Sequence, residues 1–247
     1  MLTTKKSNNK HCIAALLAIS AQALFLTTCG NPIIESMMTE ETSQQPRGET
    51  FNTDDADGLK NALAAYINEN NKSHSQYNPI PIQFTGSDYH AITAALSGDL
   101  ITDYSYLYLD MRGMTGLVSI PEDCFNAEKI SQKCKIIAVK LSPVVTTIDK
   151  GAFSLNADLI SVSMPGVNVI SEKAFYKTYS LQEIFMPSSP PNTAGDSFYG
   201  IMTNLPFIIH VPAGTSYNPG SDYFEWAEKY FGAKHINVHF LADMPGN

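Results

Sequence analysis

The chain has 247 residues, of which 44% are hydrophobic, and its formal net charge at pH 7 is -8. This length and apolar content are sufficient for one domain with a sizeable core. The acidic balance argues against nucleic acid and anionic lipid surfaces as partners, since both repel a negatively charged protein.

The N-terminus has the pattern of an export signal. Lysines at positions 5, 6 and 10 precede an apolar run over residues 12–26, which is too short for an ordinary membrane span. The stretch LTTCG that follows resembles a bacterial lipobox, although Thr28 stands where Gly, Ala or Ser is usual. The resemblance implies that residues 1–28 are a lipoprotein signal peptide and that Cys29 is the lipid attachment site. The alternative is a plain secretory signal in which Cys29 is incidental.

Two further segments precede the main part of the chain. Cleavage before Cys29 would leave 219 residues with a formal charge of -11, because the removed segment holds three lysines and no acidic residue. Residues 29–55 are polar, acidic and without periodicity, which predicts a flexible tether. Residues 56–103 are expected to form an N-terminal helical cap of two short amphipathic helices, with Asp57 as N-cap of the first and Ser87 at the start of the second.

A short pattern then recurs within residues 104–247. The segments SIPEDCF, TIDKGAF and VISEKAF each place an Ile five residues before a Phe, at Phe125, Phe153 and Phe175. The apolar triplet before the last Phe and the triplet that follows it are 22 residues apart throughout. One extended segment and one aromatic anchor per unit predict a solenoid, in which stacked units bury the apolar faces that none could bury alone.

The repeat unit L-x-x-I-x-M-P, followed by V-I-x-x-x-A-F, resembles the repeats of the treponemal and BspA-like leucine-rich repeat lipoproteins over residues 104–231. The resemblance implies an α/β fold: a leucine-rich repeat solenoid with a parallel β-sheet on its concave face, an N-terminal helical cap and a C-terminal aromatic helix cap with Trp226. It also implies binding of another macromolecule, such as a host cell or matrix component. The chain departs from the family at Cys124, which replaces an Ala, and at the insertion over residues 126–135.

Two cysteines remain after processing. In an exported protein Cys124 and Cys134 are a possible disulfide, which would pin the insertion, and the alternative is two buried thiols. Zinc is not expected, because such sites need about four ligands and no His cluster lies nearby.

The charged residues within the repeated segments do not have the pattern of a catalytic site. Their positions recur but their identities do not, which favours a solvated surface over a fixed acid–base pair. The chain has no Gly-rich phosphate loop, no G-x-S-x-G and no H-E-x-x-H. His235 and His239 lie in an alternating, strand-like segment that would hold them about 13 Å apart. We therefore expect no catalytic residue, no metal and no cofactor.

The alternation of strand residues identifies a candidate binding surface on the concave face. It combines aromatic and polar side chains with few charges, which suits recognition of a protein segment. The alternative is that the insertion or the C-terminal segment HINVHFLADM covers it. The expected binding residues are Tyr106, Tyr108, Lys140, Ser161, Ser163, Glu183, Phe185, Ile208 and His210.

The sequence thus predicts a lipid-anchored, extracytoplasmic protein of the bacterial cell envelope that binds a protein or other macromolecule. Its location would be the outer-membrane surface, with a role in attachment to host cells or matrix, or the periplasm, as an envelope scaffold. An enzyme is the third and less favoured hypothesis.

Overall fold

The computed structural model describes residues 48–116, 118–201 and 207–231, and the backbone of residues 238–242. Two parallel sheets and three helices make up this part of the chain. The helices are α1 (Ala56–Asn70), α2 (Tyr89–Ser97) and α3 (Asp222–Phe231), and a short 3-10 turn (Asn71–Ser73) follows α1. The strands are β1 (Glu49–Asn52), β2 (Ile80–Gly86), β3 (Ser105–Met114), β4 (Ser119–Ile120), β5 (Cys134–Lys140), β6 (Thr147–Ile148), β7 (Ser161–Ser163), β8 (Val169–Ile170), β9 (Glu183–Phe185), β10 (Asn192–Thr193), β11 (Phe207–Val211) and β12 (Val238–Ala242).

Each repeat contributes one strand to each sheet. The large sheet has the order β1-β2-β3-β5-β7-β9-β11-β12, and the small sheet has the order β10-β8-β6-β4. Val162 pairs with Ile184 in the large sheet and Ile148 pairs with Ile170 in the small one. Both pairs are separated by the 22-residue period of the sequence. The predicted leucine-rich repeat solenoid of the α/β class, with a parallel sheet on one face, is therefore confirmed.

A ladder of phenylalanines runs through the core between the two sheets. The rings of Phe125, Phe153, Phe175 and Phe198 stack in sequence with centroid distances of 5.4, 5.4 and 5.3 Å. Backbone hydrogen bonds connect the same turns: the amide of Phe153 in one turn donates to the carbonyl of Ala174 in the next turn at 2.8 Å. The repeated Phe thus sets the spacing of the turns, as the pattern predicted.

The backbone conformation at Gly151 explains why the segment TIDKGAF contains a glycine. Gly151 has φ +65°, and a Cβ added there would meet the Asp123 carboxylate oxygen at 2.3 Å. The corresponding residues of the neighbouring units, Asp123 and Lys173, have φ 53° and 56°. These three units therefore bend through a left-handed residue at this position, and only the unit of Gly151 does so without a side chain.

The N-terminal cap consists of strands as well as helices. Both β1 and β2 extend the large sheet in parallel, and Phe51 of β1 is buried. Residues 48–55, assigned to the tether from the sequence, therefore belong to the folded unit. Helix α1 begins two residues earlier than predicted, because Asp55 rather than Asp57 accepts the capping hydrogen bond from the Gly58 amide at 3.1 Å.

The C-terminal cap is the predicted aromatic helix. Trp226 of α3 packs edge-on against the last ring of the ladder, Phe198, at 5.8 Å. Its indole N–H donates to the Thr193 hydroxyl at 3.0 Å, and the Tyr230 hydroxyl donates to the Thr193 carbonyl. Helix α3 therefore closes the end of the core and binds the backbone of β10, the edge strand of the small sheet.

The two cysteines are free and buried, so the predicted disulfide is wrong. Both thiols bind helix α2: Cys124 donates to the Tyr89 carbonyl at 3.5 Å and Cys134 to the Leu96 carbonyl at 3.6 Å. These carbonyls are seven residues apart, or about 10 Å along the helix axis. The two sulfur atoms are therefore too far apart for a bond of about 2 Å. The insertion is held instead by the Ser131 amide, which donates to the Leu96 carbonyl at 3.0 Å.

None of the helices in the described ranges is long and apolar enough to cross a membrane. The predicted signal peptide, Cys29 and most of the predicted tether lie outside those ranges.

Candidate functional site

The large sheet has two faces of different composition. Its inner face contacts the core through residues such as Leu109, Val139, Val162 and Ile184, which are fully buried. The opposite face, called the outer face below, carries the residues that the sequence assigned to the concave surface. The predicted alternation is therefore confirmed in β3, β7, β9 and β11, and β5 departs from it at Ile137.

The parallel register arranges the outer face in two rows that cross the strands. Neighbouring members of a row face each other on adjacent strands, which lie about 4.8 Å apart. The first row is Tyr108, Ala138, Ser161, Glu183 and Ile208, and the second is Asp110, Lys140, Ser163, Phe185 and His210. Eight of the nine predicted binding residues are thus brought together, and Tyr106 lies at the start of strand β3 beside Lys135.

Most side chains of the outer face are buried. Phe185 is 7% exposed, Lys140 is 6% exposed and Tyr108 is 4% exposed, whereas Tyr106 and Ile208 are half-buried. The expectation of an open surface is therefore wrong for most of these side chains. Burial raises the pKa of the Tyr108 phenol, and the nearby Asp110 carboxylate adds to the increase.

A hydrogen-bonded group occupies the centre of the outer face. The Ser161 hydroxyl donates to one oxygen of the Glu183 carboxylate at 3.0 Å, and Nε2 of His210 lies 2.8 Å from the other. The imidazole of His210 is stacked on the ring of Phe185, with a centroid distance of 3.9 Å and an interplanar angle of 4°. A carboxylate bound on both oxygens and a ring held on its face are rigidly placed.

The order of these three groups does not suit nucleophilic catalysis. A serine nucleophile needs its hydroxyl hydrogen-bonded to the histidine that removes its proton. Here Ser161 and His210 both bind Glu183, so the carboxylate lies between them. The arrangement favours a structural or ligand-binding role over acyl transfer.

A charged pair lies at the end of the second row. The guanidinium of Arg112 contacts the Asp110 carboxylate with Nε at 3.0 Å and a terminal nitrogen at 2.7 Å. Arg112 was not among the residues predicted from the sequence. The i, i+2 spacing on one strand, which places both side chains on the same face, is the signal that could have identified it.

Ile137 is a second residue that the sequence reasoning missed. Tyr108 of β3 faces Ala138, while Ile137 is an extra residue in β5 at a β-bulge between Leu107 and Tyr108. Ile137 joins Tyr108, Ala138 and Phe185 in an apolar cluster on the outer face. The signal was the spacing of Ile136 and Val139, because core residues three apart in a strand require one extra residue between them.

The C-terminal segment does not cross the sheet as the alternative proposed. The backbone of Val238–Ala242 pairs in parallel with β11 and forms the eighth strand. His239 therefore lies in a strand, as predicted, and His235 lies outside the described residues. Within the described ranges, no group of three or more His, Cys, Asp or Glu side chains is placed to hold a metal ion.

Comparison with known families agrees with the geometry. Residues 111–205 match a family model for the BspA type leucine rich repeat region, in six copies. A search of curated proteins found no match. The matched range does not include the N-terminal cap or α3, whereas the resemblance noted in the sequence extended over residues 104–231 and so included α3. The central part of the chain is therefore similar to BspA-type leucine-rich repeats, a kind of solenoid that typically binds proteins and is rarely an enzyme.

Proposed function

We propose that this chain is a lipid-anchored protein of the bacterial cell envelope that binds another protein through the outer face of its large sheet. The observation that carries the proposal is the ordered outer face, where two rows of aromatic and polar side chains cross five adjacent strands. Tyrosine, tryptophan and arginine are frequent at binding hot spots. Aromatic side chains also bury large areas and lose little conformational entropy.

The fixed geometry of the outer face supports this proposal. Glu183 and Phe185 hold His210 from two directions, and Asp110 holds Arg112. A partner would meet groups that are already in place, so binding would cost less ordering entropy. The proposal requires the outer face to be accessible to a partner in the mature protein.

Replacing Tyr108 and Phe185 together by Ser tests the binding surface. The mature protein, with Cys29 replaced by Ser, would be used as bait with extracts of host matrix and of the envelope. We expect a partner that binds the parent protein, and we expect its affinity for the double variant to be at least tenfold lower, as for hot-spot aromatics. Tyr104→Ser is the matched control, because Tyr104 is 67% exposed and lies just before strand β3. Equal retention by the parent and the double variant would contradict the outer face as the site.

Accessibility on intact cells distinguishes the two envelope roles. Cleavage by an added protease in intact cells would support attachment to host cells or matrix. Protection in intact cells with cleavage after permeabilisation would instead support the periplasmic scaffold, since the protease would reach the protein only inside the outer membrane.

A further inference from the structure

A cleft lies between the insertion over residues 126–135 and the following turn, residues 155–158. Its volume is about 210 Å³. Sites for drug-sized ligands measure roughly 300–1,000 Å³, so the cleft has room for a smaller molecule only. The insertion is where the chain departs from the repeat pattern, and the hydrogen bond from the Ser131 amide to the Leu96 carbonyl holds it against helix α2. The cleft thus belongs to an irregular unit of the solenoid.

Part of the lining of the cleft is apolar. Ile130, Cys134 and Ile136 are buried, and Leu155 is half-buried. The Cys134 thiol donates to the Leu96 carbonyl, and burial raises its pKa, so it lines the cleft as a neutral group. An occupant therefore needs an apolar part that covers these side chains.

A buried amide in the lining has an oxygen atom without a partner. Asn156 is 5% exposed, and its Nδ2 donates to the carbonyls of Phe125 and Phe153 at 2.5 and 2.9 Å. Among the described residues, none donates a hydrogen bond to its Oδ1. The fully enclosed side-chain atoms without a partner in these ranges are elsewhere, at Asn71 and Tyr89. The Oδ1 of Asn156 therefore borders open space, and the space that Asn156 lines is the cleft.

The solenoid does not require an amide at this position. Asn156 lies three residues after Phe153 of the ladder, and Thr178 lies three residues after Phe175. The Thr178 hydroxyl donates to the Phe175 carbonyl at 2.7 Å, so a hydroxyl meets the same backbone requirement. The amide oxygen of Asn156 is an acceptor that the turn does not use. A buried acceptor without a partner is unfavourable, and an occupant with an N–H donor would satisfy it.

The charged groups around the cleft favour a cation. Glu128 and Asp158 supply two carboxylates and Lys135 supplies one ammonium group, so carboxylates are in excess. The Lys135 ammonium lies 3.5 Å from an oxygen of Asp158 and 5.9 Å from the centre of the Tyr104 ring. In the described part of the chain, the Glu128 carboxylate has no ion-pair partner. The net charge of -8 on the whole chain adds a long-range attraction for cations.

We propose that the cleft binds a small primary amine in its protonated form. The ammonium group donates to Oδ1 of Asn156 and to the Glu128 carboxylate, and a short alkyl chain covers Ile130 and Ile136. A bare metal ion would leave the apolar part of the lining uncovered. The cleft is separate from the outer face of the large sheet, so this proposal and the proposed function can fail independently.

Binding of n-pentylamine to the purified chain tests the proposal. An NMR titration at about pH 7, where an alkylamine is protonated, would measure the affinity. The references are n-pentanol and pentanoate, which have the same alkyl length and a neutral or negative head group. We expect the amine to bind at least tenfold more tightly than either. Pentyltrimethylammonium keeps the charge but has no N–H, so it should bind about tenfold more weakly than the amine, because Oδ1 of Asn156 stays without a donor.

Two variants test the charged residues of the lining. Glu128→Gln together with Asp158→Asn removes both carboxylates and should weaken amine binding by about tenfold. Glu122→Gln is the matched control, because Glu122 is exposed in the same repeat unit and does not line the cleft. Lys135→Gln should instead strengthen amine binding by about two- to fivefold, because it frees the Asp158 carboxylate. A gain in affinity cannot result from partial unfolding.

Four results would overturn the proposal. The first is equal affinity for pentylamine and pentanol, and the second is weaker amine binding in Lys135→Gln. The third is a loss in Glu122→Gln as large as that in the double variant. The fourth is calcium that binds the chain and displaces the amine, which would identify the cleft as a metal site. Equal affinity for the amine and its trimethyl analogue would exclude the hydrogen bond to Asn156 and with it the choice of a primary amine.

Discussion

Phe153 shows how one residue serves the whole repeat. Its ring is fully buried and stacks on the equivalent rings of both neighbouring turns at 5.4 Å. Removing it would leave a cavity that the two rigid neighbouring turns could fill only in part.

Phe153→Ala should therefore lower the free energy of unfolding by about 3–5 kcal/mol. Urea unfolding followed by circular dichroism would measure the change. Val144→Ala is the control, since Val144 is 46% exposed and should change stability by less than about 0.5 kcal/mol. A small effect at Phe153 would contradict the ladder.

Gly151 is needed for its backbone conformation and not for side-chain packing. Gly151→Ala should destabilise the protein by about 1–2 kcal/mol, because the residue has φ +65° and the new methyl group would collide with Asp123. Gly195→Ala is matched to it, since nothing lies within 4 Å of a Cβ added there. Equal unfolding midpoints for Gly151→Ala and Gly195→Ala would show that a side chain at position 151 causes no strain.

At the level of elements, helix α2 is attached to the first repeat through two thiols. Burial raises the pKa of Cys124 and of Cys134 from 9.0 to about 12. The folded state thus favours the neutral thiols, which donate to the carbonyls of Tyr89 and Leu96. Thiolates are the reactive form, so both cysteines should be unreactive at neutral pH.

A thiol reagent at pH 8 should modify neither Cys124 nor Cys134 in the native state and both in denaturant. Cys12 and Cys29 would be replaced by Ser so that only this pair is counted by mass spectrometry. Fast native modification, or a mass two units lower from a disulfide, would contradict the structure.

The same shift sets a pH dependence. A raised thiol pKa stabilises the fold below about pH 9, and this contribution is lost as the pH rises towards 12, since the unfolded chain releases its protons first. Unfolding free energy should fall over that range, and less steeply in Cys134→Ala. If the unfolding free energies of the parent protein and of Cys134→Ala fell equally steeply between pH 9 and 12, the raised thiol pKa of Cys134 would be contradicted.

The elements also show where the sequence pattern fails. The helices of the N-terminal cap were predicted from their apolar spacing, but β1 and β2 were not. Ile80 and Ile82 become strand residues because β3, which comes later in the chain, offers an edge to pair with. Phe51 becomes a strand residue because β2 then offers the next edge. The bulge at Ile137 likewise depends on the register that β3 imposes on β5.

At the scale of the whole molecule, the position of the protein in the cell depends on its N-terminus. Replacing Cys29 by Ala should move the protein from the membrane fraction to the soluble fraction, because a lipid chain on this residue would be its anchor. Immunoblots of the two fractions would measure the shift, with Cys12→Ala as the control. Membrane retention of the Cys29 variant would favour the plain secretory signal, or another form of attachment.

The repeat period, the positions of Ile and Phe, and the faces of the strand residues in the repeats other than Ile137 were determined by the sequence alone, because equivalent stacked turns must place equivalent residues in equivalent surroundings. Three features were decided only by the tertiary structure: the burial of the outer face, the hydrogen bonds of Glu183 to Ser161 and His210, and the free thiols. Each depends on contacts between residues at least 22 positions apart, whose distances the local pattern does not specify.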